Sequence, residues 1–387
     1  MDITTTEYII GGITGVLTMV QLLYLLVLYG APHRRYKAEA KAGNGSTEQR
    51  PGMSVIITTS DQADSLAKNL PLILEQDYPD FEVIVVDDNS SDDTRELLER
   101  LAKQYTHLYS TFTSDSIRYI SHKKLALTLG IKAAKKEWVV FTEPNCYPTS
   151  RQWLARMARH CTDANDVVIA YSNYERRPGF GNLCYTYDTM LQQVRLLGIT
   201  LLGGGYMGNG RNMAYRRELF FTHKGYSRHL DLERGDDDLF INEHVAARRI
   251  TADISADSVV RCTSTSGRTW QNEKLNRLFT RKKMSGASIA ILSADTLTRI
   301  MLYASVTLGI AMGIINQWWV LMGVSIALWM AYLGCSICVF HRIARELGER
   351  RYNVSLPLFD LIRPCWELYF RLHLRFSSKD MYKRRKV

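Results

Sequence analysis

The chain has 387 residues, enough for one large domain, or two, with a sizeable core. Its formal charge of +10 would suit a nucleic-acid binder. The cations, however, gather at the ends of apolar segments rather than on one aromatic-rich face, which excludes that class and points to a membrane. The first such segment, Tyr8 to Tyr29, is uncharged and longer than the roughly 20 residues that cross a bilayer. His33-Arg34-Arg35, Lys37 and Lys41 follow at once. Met1 to Glu7 carries Asp2 and Glu7 but no Lys or Arg, so residues 1–30 read as a retained anchor rather than a cleaved signal peptide. Residues 31–50, ending in the Gly/Ser-containing stretch Ala40 to Arg50, read as a linker.

Residues 51–296 alternate strand and helix. A strand runs from Met53 to Thr58, a helix from Asp64 to Glu75, and a second strand through Glu82-Val83-Ile84-Val85-Val86 into Asp87-Asp88-Asn89-Ser90. An apolar β-branched run that ends in acids and a polar turn is a buried strand, and ligands of open α/β sheets bind beyond the carboxyl ends of such strands. Asp87 and Asp88 could instead simply cap the next helix, Asp92 to Tyr105. Further on come a short strand at Ser116–Ile120, a helix at Lys123–Lys135 and a strong strand at Glu137–Thr142. The expectation is a largely parallel sheet covered by helices. The second half is less regular, with strands at Val167–Tyr174 and Arg211–Arg216 and helices at Thr186–Leu197 and Arg234–Arg248.

Two apolar segments, Ile300–Ile315 and Trp318–Phe340, lie near the other end, within residues 297–341. Arg281-Lys282-Lys283 and Arg299 precede them, and His341-Arg342 and Arg345 follow. With three crossings every basic flank falls on one side, so the positive-inside rule puts residues 31–296 and the tail, 342–387, in the cytoplasm of a plasma (inner) membrane protein, with the N-terminus outside. In the tail, Leu356–Phe376 reads as an amphipathic helix broken by Pro364, and Lys383-Arg384-Arg385-Lys386 would lie near anionic lipid. Cys335 and Cys338 have CxxC spacing inside a span and read as packing residues. The other five cysteines would stay reduced in a cytoplasm.

Four stretches in order make a resemblance specific. Met53-Ser54-Val55-Ile56-Ile57, Gln76-Asp77-Tyr78-Pro79 and Phe81 to Ser90 resemble the signature of glycosyltransferase family 2, and Lys123-Lys124-Leu125-Ala126-Leu127 is similar to its next helix. Gly208 to Arg217 and Gly235-Asp236-Asp237-Asp238-Leu239-Phe240 resemble its acceptor-side elements. The resemblance covers about residues 51–285, and the flanking apolar segments resemble membrane-bound synthases of cell-surface polysaccharides. It implies a GT-A fold, a Rossmann-like α/β domain, flanked by one N-terminal and two C-terminal transmembrane helices.

The resemblance also implies roles. Thr58, Asp87, Asp88, Lys124 and Glu143 would meet the nucleotide sugar, with Asp87 or Asp88 on the uridine and ribose. Asp237 would be the catalytic base, with Asp236 the competitor, and Gly210, Arg211, Asn212, Asp238 and Trp270 would line the acceptor side. Adjacent acids raise one another's pKa, which suits a base, although acids at a helix start also simply favour its dipole. The family's Asp-x-Asp metal motif is here Glu143-Pro144-Asn145, which leaves Glu143 and the Asn145 amide to hold Mg²⁺ or Mn²⁺. The Gln-x-x-Arg-Trp of processive members is reduced to Thr280-Arg281-Lys282-Lys283-Met284. Its cations could touch a diphosphate or mark the membrane surface. The implied reaction is inverting transfer from a UDP-sugar to a lipid-linked or envelope glycan acceptor, one sugar at a time. Membrane lipids and partner subunits complete the expected partners. The rival is a catalytically weak pseudo-transferase that binds nucleotide as an assembly subunit.

Overall fold

The computed structural model describes residues 5–42, 50–113, 121–230, 232, 234–263, 266–352 and 355–376. Ten strands are described: β1 Met53–Thr59, β2 Phe81–Asp87, β3 Leu108–Phe112, β4 Trp138–Thr142, β5 Cys146–Pro148, β6 Val167–Ala170, β7 Ser172–Tyr174, β8 Met213–Arg216, β9 Ile250–Asp253 and β10 Val260–Cys262. Seven form one sheet in the order β3-β2-β1-β4-β8-β6-β9, and the other three a small sheet, β5-β10-β7. In the large sheet β8 alone runs against its neighbours β4 and β6, while β1, β2, β3 and β4 are parallel.

The middle of this sheet is buried on both faces, which is why its strands read as continuous apolar runs. Val55, Ile57, Val83 and Val85 join one core. They pack there with Leu66, Leu70 and Ile73 of α3 (Ala63–Leu74) and Leu97, Leu98 and Leu101 of α4 (Thr94–Gln104). Ile56, Ile84 and Val86 turn to the opposite core with α5 (His122–Ala133). A Cβ on Gly130 of α5 would stand 2.7 Å from Ile56 Cγ2, so the helix lies on the sheet only because that residue has no side chain. Three further helices complete the second half: α6 (Trp153–Ala158), α7 (Phe180–Leu201) and α8 (Arg217–Thr222). Then come α9 (Asp238–His244) and α10 (Gly267–Arg281).

Among the described residues three helices are long and apolar enough to cross a membrane. They are the N-terminal helix, α11 (Ala287–Ile315) and α12 (Trp319–Glu346). The first comprises α1 (Thr5–Leu23), a π-helical stretch Tyr24–Tyr29 and α2 (Ala31–Ala42). Residues 31–42 of the expected linker are therefore helical. A Cβ on Gly198 of α7 would collide with the carbonyl oxygen of Leu28, so the π segment and α7 meet backbone to backbone. Buried ions fasten the helices together. Arg299 bridges Asp360 Oδ1 at 2.7 Å and Asp295 Oδ1 at 3.1 Å. Tyr29 donates to Asp295, and Tyr303 and Tyr332 donate to Asp360. Asp360 belongs to α13 (Ser355–Phe376), which passes Pro364 without breaking. Its buried Leu356, Phe359, Phe370 and Leu374 outweigh the about 3 kcal/mol that an interior proline costs.

Other expectations are corrected. Val167–Tyr174 is two strands in different sheets, parted at Tyr171, and the helix expected over Arg234–Arg248 is confined to α9. The partner strand of β2 is β3, whereas Ser116–Ile120 lies outside the described residues. So does Lys383 to Lys386. Cys146 and Cys262 are joined by a disulfide rather than left reduced, because antiparallel pairing of β5 with β10 sets them opposite each other.

Candidate active site

Beyond the carboxyl end of β4 the sheet opens into a cavity of about 190 Å³. Its acids arrive on a glycine turn. Gly235 has φ +105°, and a Cβ there would lie 2.8 Å from Leu239, so this backbone needs glycine. The turn delivers Asp236, Asp237 and Asp238 in succession, all three lining the cavity.

Their surroundings separate them. Asp236 is buried and paired with Lys123 at 2.9 Å. Burial pushes its carboxyl up, but Lys123 and Arg234 more than offset this and hold it below its ordinary range. Asp237 is half-buried and accepts from the Gly210 amide at 2.8 Å and from the Asp238 amide at 2.9 Å. Burial and the neighbouring Asp236 charge raise its pKa. Asp238 accepts from the Leu239 amide at 2.7 Å and from the Thr280 hydroxyl. Burial, then Asp237, lift it to about 7. A Cβ on Gly210 would stand 3.0 Å from Asp237 Oδ2, and one on Gly208 2.8 Å from the Asp237 carbonyl oxygen. The glycines of Gly208-Asn209-Gly210 thus let this loop close on the acid.

Facing the acids, Glu143 accepts from Arg211 Nε at 2.9 Å. Burial alone would raise Glu143, but Arg211, Lys123 and Arg234 bring it down to about 2, so it stays ionised. Arg211 also holds Glu273 at 2.6 Å and stacks over Tyr174.

Residues 54–221 match the family described as glycosyl transferase family 2. The match runs from β1 to α8. Glycosyltransferase AglE of Haloferax volcanii is 30% identical to it over 145 residues, which are 37% of this chain and 46% of that protein. A Campylobacter jejuni GalNAc(5)-diNAcBac-PP-undecaprenol beta-1,3-glucosyltransferase is 45% identical over 53 residues, 14% of this chain and 17% of that one. The chain thus spans less than half the length of these relatives. Among solved structures, the mannosyltransferase PcManGT of Pyrobaculum calidifontis, in complex with GDP-Man and Mn²⁺, superposes with a TM-score of 0.51 at 20% identity. That superposition covers 92% of this chain and 99% of that one. It shows the fold, the expected GT-A architecture with its flanking apolar helices.

Within the transferase domain the expected site residues divide. Asp236, Asp237, Asp238, Glu143, Gly210 and Arg211 meet around the main cavity. Thr58 lines a smaller adjoining one with Lys123, Glu143 and Asp236. Asp87 and Asp88 stand at the end of β2, where Asp87 accepts from the Ser90 amide at 3.1 Å and Asp88 from the Thr113 hydroxyl at 2.5 Å. Four residues lie elsewhere. Lys124 is buried and donates to the carbonyl oxygens of His229 and Leu232, leaving the cavity to Lys123. Asn212 is buried and ties Trp153 Nε1 to the carbonyls of Tyr171 and Ser258. Trp270 is buried, stacked on Tyr185 at 5.0 Å with Trp366 and Phe370 edge-on. Asn145 stands beside the disulfide, its carbonyl taken by the Thr263 amide at 2.7 Å. Sequence reasoning missed Lys123 by one position on a helix, and missed Arg234 and Glu273. The last two lie outside the motifs and carried no local signal.

Proposed function

We propose that this chain transfers a sugar from a nucleotide donor, a UDP-sugar, to a lipid-linked or envelope glycan acceptor at a membrane, with inversion at the anomeric carbon. The observation that carries the reading is Asp237. Its half-exposed carboxylate sits on the cavity wall, is held by two backbone amides and is more basic than an ordinary aspartate. Such a group can take the proton of an acceptor hydroxyl as the new bond forms. Asp236, already neutralised by Lys123, is the weaker base of the two. Lys123 lines both cavities and places a positive charge where a leaving diphosphate would develop its negative one.

Of the two expected ligands, Glu143 would hold Mg²⁺ or Mn²⁺, while Asn145 stands outside the cavity lining. In favour of this, Glu143 is ionised and the donors are hard oxygens. Against tight binding, Glu143 is engaged by Arg211, and no group of three or more His, Cys, Asp or Glu suited to a metal exists among the described residues. A bound cation would add its charge to that of Lys123 on the diphosphate. The three apolar helices and their basic flanks support a membrane protein whose transferase domain faces the cytoplasm.

The test is UDP release by the detergent-purified protein across a panel of UDP-sugars, with Mg²⁺, Mn²⁺ or EDTA. Turnover on one donor, lost in EDTA, is the expected result. Nucleotide binding with no turnover on any donor, even with acceptor lipid supplied, would overturn it in favour of the assembly subunit.

A further inference from the structure

The main cavity does not end at the acids. From Asp236–Asp238 it extends between α7, α10 and α13 as far as Leu292 near the start of α11. This far half is basic. Arg195, Lys274, Arg277, Arg281, Arg363 and Arg371 line it, against Asp188 and Glu367, while Glu273, next to Lys274, is held by Arg211. Lys274 pairs with Asp188 at 2.7 Å and Arg363 with Glu367 at 3.0 Å. Arg371 is 3.9 Å from Glu367, and Arg195 is 3.2 Å from Asp295. Arg277 and Arg281 are held by neutral oxygens, those of Gln192 and Ser293.

The cations here outnumber the acids. Arg363 and Arg195 are each 8% exposed, and Arg363 Nη1 and Arg195 Nε have no hydrogen-bond partner among the described residues. A buried guanidinium nitrogen left without an acceptor is costly. Burial, then Arg195 and Arg371, pull the pKa of Arg281 below its ordinary value, as expected of a cation crowded by others. A dianionic group at this spot would supply the missing acceptors and charge.

The walls say what such an anion is attached to. Leu191, Leu196, Met284 and Leu292 line the cavity beside the cations. Leu292 belongs to α11, a helix long and apolar enough to cross a membrane. The helix that contributes Arg363 and Arg371 exposes Leu361, Ile362, Leu368, Leu372 and Phe376 elsewhere on its surface, the pattern of a helix lying in a bilayer interface. At the other end, Thr280 donates to Asp238, one residue before Arg281. Helix α10 therefore joins the acids to the cations directly.

We propose that this basic half of the cavity is the headgroup site for an acceptor lipid carrying a phosphate or diphosphate, whose chain leaves along α11 and α13. The proposal rests on the transferase reading for the word acceptor, but its site is testable by binding alone. The probe is decyl phosphate, titrated by thermal shift and calorimetry into the full chain in a nonionic detergent, with saturating UDP present. Decanol and inorganic phosphate serve as comparisons.

Decyl phosphate should bind at least about tenfold tighter than either. Arg281→Gln and Arg363→Gln should each weaken it about tenfold, consistent with the loss of one charge-assisted contact. Arg371→Gln, at a half-exposed position, is the variant least exposed to folding defects and should show a smaller loss in the same direction. Asp237→Asn should keep full affinity, so a failed base assignment and a failed headgroup site give different results. Equal affinity for decanol, or unchanged affinity in all three arginine variants, would overturn the proposal. So would competition by UDP, which would assign these cations to the donor. Inorganic phosphate binding as tightly as decyl phosphate would also reject a lipid as the source of the anion.

Discussion

Two clusters of acids among the described residues are treated in opposite ways. Among the apolar helices, Asp295 and Asp360 are separated by the Arg299 guanidinium, and tyrosine hydroxyls occupy their remaining oxygens. In the cleft, Asp236, Asp237 and Asp238 are consecutive, and only Asp236 has a cation in direct contact. The other two accept from amides and a hydroxyl, which satisfy geometry but cancel no charge. Acids balanced by a guanidinium brace a structure. Asp237 and Asp238, pushed up by burial and by an adjacent carboxylate more than their hydrogen bonds offset, stay basic, and that is what proton transfer requires.

The widest separation between the two sets should appear in activity. Asp237→Asn should lower transfer about 10²- to 10⁴-fold while UDP binding, read by calorimetry, stays within about twofold. Full activity in this variant would move the base to Asp236. The mirror experiment breaks the brace. Arg299→Met leaves Asp360 without its cation and Asp295 with Arg195 alone, and removing one partner of a buried pair costs about 3–5 kcal/mol. Thermal unfolding in detergent should show a large fall, and an unchanged midpoint would mean that these ions do not hold the helices.

The disulfide asks whether the Glu143 side of the cleft needs covalent support as well. Cys146 and Cys262 are 116 residues apart, and losing such a link costs about 2–4 kcal/mol. Cys262→Ser should unfold earlier than the parent, and a reductant should lower the parent to the same midpoint. An insensitive parent would show that the pair contributes nothing.

The smallest effect concerns Asp238. Its carboxyl titrates near 7 in the folded chain against an ordinary 3.8. The unfolded chain therefore gives up this proton first, and stability falls as pH rises from about 4 to about 7. Asp238→Asn should flatten that slope and raise the midpoint near neutral pH by about 2–4 °C. A slope equal to that of the parent would remove Asp238 as its cause.

Much of this was legible from residue order. The central strands announce themselves by continuous β-branched runs, because a sheet buried on both faces asks for nothing else. The acids after Gly235 were visible for the same local reason: a glycine turn followed by three carboxylates is rare on a merely solvated helix. What the sequence hid were consequences of distance. Lys123 and Lys124 are indistinguishable in a string, and only the packing of α5 decides which faces the cleft. Trp270, expected on the acceptor side, is claimed by aromatic partners about a hundred residues away on α13 and by Tyr185 on α7. Pro364 reads as a break until the buried residues on either side of it are known.

The seam between Gly198 and Leu28 has a mechanical consequence. With no side chain between them, the first apolar helix and α7 cannot slide or part without opening a gap. Helix α7 carries Gln192, Gln193 and Arg195 into the cavity wall. A bilayer thinner than the helix is long makes it tilt, and here the tilt would be passed to the cleft rather than absorbed by a hinge. Turnover measured in vesicles of increasing acyl length should therefore pass through a maximum, making the thickness of the host membrane a tuning variable for the chemistry.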